Sequence, residues 1–245
     1  MKRVVILLSV LSVGAVSAGE WERSFTGSLT TQQGNTHLTS YTVAMSSEYA
    51  GDLSIEPFGQ LGRINLPDSE VRFTVSHTRG QLNDALYEHD GSASFLLEIM
   101  AHETFSPFFL SYWAYDSTTF LERRVQLGAG GKYTAGKEIS VSVAYLWEIE
   151  DYKAEAVRRQ YRLSVRPKYK KKFDSGITVN YMIFIQPLVR NPAHLLIDNQ
   201  FTLSIPTPSE KFMITATWRD QYNSQPPKNV KERDTDVKVG FTLSW

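Results

Sequence analysis

Over residues 237–245 apolar and polar positions alternate without interruption, with Val237, Val239, Phe241, Leu243 and Trp245 set against Lys238, Gly240, Thr242 and Ser244. A period of two places each set on its own face of a β-strand. The pattern recurs upstream. Residues 23–33 set Phe25, Gly27 and Leu29 against Ser24, Thr26, Ser28 and Thr30, and residues 37–49 put Tyr41, Val43 and Met45 on one face. Further strands are predicted at 92–102, 107–117, 121–134, 137–150, 155–172, 175–189, 194–206, 209–222 and 233–245. An irregular one, carrying Pro57 and two glycines, is predicted at 53–65. Most of these runs exceed ten residues, whereas strands of soluble sandwiches are usually about five or six. Long alternating strands with aromatic ends point to an all-β, antiparallel, up-and-down transmembrane β-barrel.

Twelve such segments satisfy the even strand number of bacterial single-chain barrels. With both chain ends in the periplasm, the turns at Gly51-Asp52, 104–106, Gly136, Asp174-Ser175 and Thr207-Pro208 all lie inside and are short. The long connections, 66–91 and 223–232, then lie outside. Residues 71–77 alternate, but one more strand would break the parity, so 66–91 is assigned to a large extracellular loop, with 71–77 alternatively an extension of the third strand. Tyr145, Trp147, Trp218 and Tyr222 fall toward outer strand ends, and Tyr133, Tyr169, Phe173, Phe212 and Trp245 toward inner ends. Two aromatic girdles are the consequence.

The amino terminus reads differently. Lys2 and Arg3, the apolar run 4–13 and the small residues Val16-Ser17-Ala18 have the three regions of a secretory signal peptide, with cleavage expected after Ala18 and the barrel occupying 19–245. The apolar run is shorter than the roughly 20 residues of a membrane helix. The chain has no cysteine, which excludes disulfides and a lipid-anchored lipoprotein terminus. Removing 1–18 takes away Lys2 and Arg3 and no acid, turning 26 basic against 26 acidic residues into 24 against 26. A near-neutral protein of this kind is not a charge-driven nucleic-acid binder. Mean hydropathy of −0.28 does not argue against a barrel, whose membrane face occupies every second residue.

Several motifs carry a resemblance. These are Gly34-Asn35-Thr36 after the first strand, Tyr115-Asp116 followed by Arg123-Arg124, Gly128-Ala129-Gly130-Gly131 with Tyr133, and Pro226-Pro227 before Asp234-Thr235-Asp236 and the last strand. Together they resemble the salt-induced outer-membrane proteins, a family grouped under a domain of unknown function. The resemblance implies an outer-membrane barrel of a Gram-negative bacterium and no particular activity. The segment 66–91 and the terminal Trp245, where phenylalanine is more usual, depart from the family pattern. Val237, Val239, Phe241, Leu243 and Trp245 also resemble the carboxy-terminal insertion signal that engages the barrel-assembly machinery.

Catalytic chemistry is poorly represented. His37, His77, His89, His102 and His194 are the histidines, and none forms a His-x-Ser pair of the kind expected in an outer-membrane phospholipase. His77, Asp84, His89 and Asp90 could assemble an Asp/His site at the outer rim, and Glu88-His89-Asp90 could hold a divalent ion. A solvated polar loop explains both groups more simply, since three adjacent residues rarely converge on one metal. Gly128–Gly131 lies inside a strand, where glycine relieves crowding in a curved wall, so no phosphate loop or cofactor site is expected.

The lumen holds the informative pattern. Once Val157, Tyr161, Leu163, Val165, Pro167 and Tyr169 face lipid, Arg158, Arg162, Arg166, Lys168 and Lys170 must face inward as a basic ladder. A hairpin centred near Tyr152-Lys153 would set Glu148 opposite Arg158, and Ala144 and Ser140 opposite Arg162 and Arg166. Arg162 and Arg166 are then free to favour anions, unless Glu48 and Glu98 reach across the lumen and pair with them. Twelve strands enclose more than the eight-stranded barrels filled by side chains and less than sixteen-stranded open porins. The leading expectation is therefore a narrow passive channel for small, preferentially anionic solutes. The alternatives are a plugged structural or stress-related envelope barrel and a rim-sited outer-membrane hydrolase. Arg159, on the outward face beside Val157 and Tyr161, is expected to contact lipopolysaccharide phosphate.

Overall fold

A computed structural model shows a closed barrel of twelve antiparallel strands. It describes residues 19–32, 38–55, 64–82, 85–153, 155–209, 211–228 and 230–245. The strands are β1 (Glu20–Gln32), β2 (Leu38–Ile55), β3 (Ile64–Leu82), β4 (Ala85–Glu98), β5 (Phe105–Asp116) and β6 (Leu121–Ala135), then β7 (Ile139–Tyr152), β8 (Arg158–Lys172), β9 (Thr178–Pro187), β10 (Leu195–Pro206), β11 (Phe212–Asn223) and β12 (Arg233–Ser244). Each strand pairs with its sequence neighbours, and β1 pairs with β12 to remove both sheet edges. Backbone bonds between Arg23 and Trp245, at 3.1 and 2.9 Å, carry the seam to the last residue. The expected signal peptide at 1–18 and the turn Gly34-Asn35-Thr36 lie outside the described residues.

Alternation decides which side chain goes where. Tyr41, Met45, Phe73, Val75, Phe109, Leu127, Val143, Tyr145, Phe201, Ile214, Val239 and Phe241 all stand exposed on the outer wall. A continuous apolar wall of that extent is far larger than the patches soluble monomers show, so the barrel spans a membrane. The inner face carries Ser, Thr, Gln, Arg, Lys, Asp and Glu. Its main apolar feature is a cluster of Phe108, Ala144 and Leu146 with Leu96 and Leu110 packed against it. Gly128 and Gly130 make that cluster possible: a Cβ on Gly128 would overlap Leu146, and one on Gly130 would overlap the Val143 carbonyl and the Phe108 ring. Glycine in this wall relieves crowding, as the sequence pattern implied.

One region departs from expectation. Residues 66–91 are not a large extracellular loop but the greater part of two membrane strands, β3 and β4. Val71, Phe73 and Val75 face outward and Arg72, Thr74 and Ser76 inward, with β3 paired to β2 from Leu82 down to Ile64. Residues 53–55, assigned to a third strand, instead complete β2. Gly51-Asp52 is a bulge within β2 rather than a turn: the register jumps between Gly51 and Leu53, Gly51 has φ 147°, and the Tyr49 hydroxyl donates to the Asp52 carbonyl at 2.8 Å. The bulge takes up the irregularity introduced by Pro67, which has no N–H, and by Asp68 at φ 44°. Strand number is preserved because one predicted strand has moved along the chain, and Arg79-Gly80 and Glu88-His89-Asp90 look loop-like only because β3 and β4 run beyond the apolar belt.

Candidate functional site

The polar lumen is the candidate site. Its organising strand is β8, which turns Arg158, Gln160, Arg162, Ser164, Arg166, Lys168 and Lys170 inward, as the alternation demanded. The β7–β8 register differs from expectation by two residues, because the connection between the strands is centred one residue later. Glu150 pairs with Arg158, Glu148 with Gln160, Leu146 with Arg162 and Ser142 with Arg166. Ala144 and Ser140 are therefore not the residues opposite the arginines, and Glu148 comes within reach of Arg162 on the diagonal.

Arg162 is consequently not a free cation. It has no exposed surface. Its Nε donates to Glu148 Oε1 at 2.6 Å, its Nη1 to the Gln186 carbonyl at 3.0 Å, and its Nη2 lies 3.9 Å from Glu150. Glu148 is equally enclosed and also accepts from Gln126 at 2.5 Å and Gln160 at 2.6 Å. Arg124, inward-facing on β6, donates to Glu150 at 2.5 Å. These six residues, from β6, β7 and β8, form one charge-compensated network along a single wall. Arg158, at the end of the ladder, pairs with Glu155 at 2.6 Å and lies over the Tyr152 ring.

Lower on the same strand the environment changes. Arg166 donates through Nε to Ser142 Oγ at 2.9 Å and stacks 5.5 Å from the Phe184 ring centroid, contacts that fix the guanidinium without neutralising it. Among the described residues, neither Arg166, Lys168 nor Lys170 forms an ion pair with a carboxylate. Lys168 is close enough to Arg72, Lys132, Arg166 and Lys170 for mutual repulsion, while Glu48 attracts Lys168 and Lys170, and Glu98 attracts Arg166, without forming an ion pair. Glu48 and Glu98, which in the alternative sequence reading reach across the lumen to the arginines, are engaged elsewhere: Glu48 binds Arg72 on the neighbouring β3 through two bonds of 2.8 Å, and Glu98 on β4 pairs with Lys132 on β6, one strand beyond β5. Arg72 and Lys132 escaped the sequence reading. Parity alone could have found them, since Arg72 lies between Val71 and Phe73, and Lys132 between Gly131 and Tyr133.

A cavity of about 410 Å³ lies above this cluster. It runs from the β11–β12 connection, at Pro226, Pro227 and Val230, down to Arg72 and Arg166. Arg124, Gln126, Ser142 and Gln186 line one side, Asp198, Gln200 and Arg219 another, and Leu96, Phe108 and Leu110 give an apolar stretch. Asp198 holds Arg219 at 2.6 Å, so that wall is neutral too. A space of this size suits a small organic solute.

The remaining expectations fall as follows. Arg159 is exposed on the outer wall, across from Ile149. His77 and His89 face outward while Glu88 and Asp90 face the lumen, so the Glu88-His89-Asp90 run and the Asp/His rim group do not converge on one point. Asp84 lies outside the described residues. Val237, Val239, Phe241 and Leu243 face outward on β12, and the exposed Trp245 follows its last residue.

No protein-family model and no curated protein matches the chain. Solved structures with a similar course include the KdgM porin, 12% identical at TM-score 0.46 over 92% of this chain and 99% of that one. The NanC porin is 13% identical at TM-score 0.44 over 91% and 97%. The anion-selective porin from Comamonas acidovorans is 7% identical at TM-score 0.42 over 93% and 99%. The likeness is one of barrel architecture, and the resemblance to salt-induced proteins stays with the motifs quoted above.

Proposed function

We propose that the protein is an outer-membrane channel, its chain ends in the periplasm, through which small anionic solutes diffuse passively. One observation carries the reading: among the described residues Arg166, Lys168 and Lys170 line the lumen in succession without an ion pair to a carboxylate, while Arg72, Arg124, Lys132, Arg162 and Arg219 are all paired. A stripe of cations that no carboxylate closes into an ion pair lowers the energy of a passing anion and raises that of a cation, although Glu48 and Glu98 lie near enough to attract it. The filter is therefore Arg166, Lys168 and Lys170, and Arg162 has been moved from the filter to the wall. A sealed, structural barrel is the second reading, favoured by the Phe108, Leu110 and Leu146 side chains that occupy part of the lumen.

Single-channel recording in planar bilayers under a salt gradient tests this. The wild type is expected to conduct with a reversal potential on the anion side, and R166Q/K168Q/K170Q to conduct with that preference lost. A cation-selective wild type overturns the assignment of the filter, and a barrel that inserts without conducting establishes the sealed reading.

A further inference from the structure

The outer wall carries a second polar construction, on the half of the barrel away from the chain ends. His77, Gly91 and Tyr115 stand side by side in register on β3, β4 and β5, all facing outward. Gly91 has no side chain to fill its place, and the Tyr115 ring lies over it: a Cβ there would come within 2.8 Å of the ring. The phenol thereby crosses a whole strand and meets His77 Nδ1 at 3.0 Å. His89 packs between them, 5.3 Å from the His77 ring and 5.2 Å from Tyr115, and its backbone N–H is held by Ser117 Oγ at 2.9 Å. Arg79 is the register partner of His89, is exposed, and makes no ion pair among the described residues.

Two imidazoles, a phenol and a guanidinium on an otherwise apolar wall require an explanation. Facing hydrocarbon, an arginine would cost about 2 to 4 kcal/mol at the bilayer midplane and much less near the interface, so the group belongs at headgroup level. In the tautomer in which Tyr115 donates to Nδ1, the His77 proton sits on Nε2 and is available to an acceptor. Arg79 offers a forked donor suited to phosphate oxygens. The flanking Tyr87 is exposed and Trp113 packs on Tyr115 at 5.3 Å, which supplies the apolar rim that acyl chains contact.

We propose that His77, Arg79, His89 and Tyr115 bind the phosphate of a phosphorylated glycolipid in the outer leaflet, with lipopolysaccharide supplying that headgroup. Arg159, outward on β8 with Ile149 as its register partner, is a separate position, and no such cluster surrounds it among the described residues. The site rests on the barrel spanning the outer membrane and is independent of whether the lumen conducts.

The test uses the folded, delipidated barrel in detergent, titrated with bisphosphorylated lipid A and with the same lipid after phosphate removal, and read by native mass spectrometry. Wild type is expected to prefer the phosphorylated lipid. H77Q/R79Q/H89Q should bind it about tenfold more weakly or worse, since loss of a hydrogen bond to a charged group is of that order. Heat-modifiable migration reports folding of the variant, and R79Q alone serves if the triple variant does not fold. Equal binding of the phosphorylated lipid by wild type and variant overturns the site, as does indifference of the wild type to lipid phosphate. Displacement of the lipid by millimolar inorganic phosphate would show a free-phosphate site instead and overturn the lipid assignment.

Discussion

Replacing Glu148 by glutamine keeps the shape of the side chain and removes its charge. In the wild type this carboxylate has no exposed surface and accepts from Arg162, Gln160 and Gln126 at 2.6, 2.6 and 2.5 Å. The variant leaves the Arg162 guanidinium enclosed with the Gln186 carbonyl at 3.0 Å and Glu150 at 3.9 Å. Removing one partner of a buried ion pair typically costs about 3 to 5 kcal/mol. Glu150 already shares its charge with Arg124 and can compensate Arg162 only partly, which places the expected loss near the lower limit, about 3 kcal/mol. Arg162→Met removes the stranded charge, so E148Q/R162M should be more stable than E148Q alone, with a coupling energy of at least about 1.5 kcal/mol. Equilibrium urea unfolding of the barrel in lipid vesicles, followed by tryptophan fluorescence, measures all four corners of the cycle. Single effects that add to within about 0.5 kcal/mol would show that the network is not a unit and refute the reasoning.

Gly130→Ala pushes a methyl group into the Val143 carbonyl and the Phe108 ring and should destabilise by about 1 to 3 kcal/mol, lowering the heat-modifiable fraction on unboiled gels. Gly136→Ala meets open space and bears only the strain of φ 70°, about 1 to 2 kcal/mol, and a Gly130→Ala variant as stable as the wild type would contradict the packing described. His102, in the turn between β4 and β5, has Nδ1 bonded to Asp68 at 2.6 Å, and that bond holds its pKa above the ordinary 6.5. Because the folded value is the raised one, its stabilisation is complete below about pH 6.5 and lost as pH rises through the folded pKa; both groups are well exposed, so the effect is small. An NMR titration should find His102 above 6.5 and D68N closer to it; a wild-type value at or below 6.5 would remove the pair. Trp245→Asp introduces a charge at the membrane-facing end of the seam with β1 and should reduce the assembled fraction in the outer membrane, whereas normal folded levels would detach Trp245 from assembly.

The strands were legible because the solvent on the two sides of the wall differs so sharply that every second residue reports its side. That signal fixed the inward course of β8 from Arg158 to Lys170 before any register was known. It failed at β3 and β4, where the strands leave the apolar belt for the headgroup layer and the outward residues become Arg79, His89 and Tyr87, which in isolation resemble a loop. Pairing was less legible than facing. A shift of one residue in the centre of the β7–β8 connection moves every partner by two, enough to exchange Ala144 for Leu146 opposite Arg162 and bring Glu148 onto its diagonal. The pairing of Glu48 with Arg72 depends on β3, which the sequence reading placed elsewhere, and that of Glu98 with Lys132 spans two strand widths, so the partners of these acids were not legible. The patch around Gly91 left one trace, a glycine at an outward position of an alternating segment, which marks a place where a neighbouring side chain can lie down.

Facing and pairing together explain why the two ends of the β8 ladder differ. A guanidinium inside a barrel is stable only if its charge is compensated by protein or remains in contact with water and mobile ions. Around Arg162, β7 presents Glu148 and Glu150 and β9 presents the Gln186 carbonyl, and the side chain is fully enclosed. Around Arg166, the same two strands present Ser142 and Phe184, a hydroxyl and a ring, which orient the group while leaving its charge uncancelled. Lys168 and Lys170 continue toward the chain-end opening with Met182 and Asn180 as register partners, again without an acid. The chemical difference between the paired and the unpaired end of the ladder thus comes from neighbouring strands, not from β8 itself. Moving a carboxylate from position 148 to position 142 would transfer compensation from one end of the ladder to the other and, with it, the place where an anion meets uncancelled positive charge.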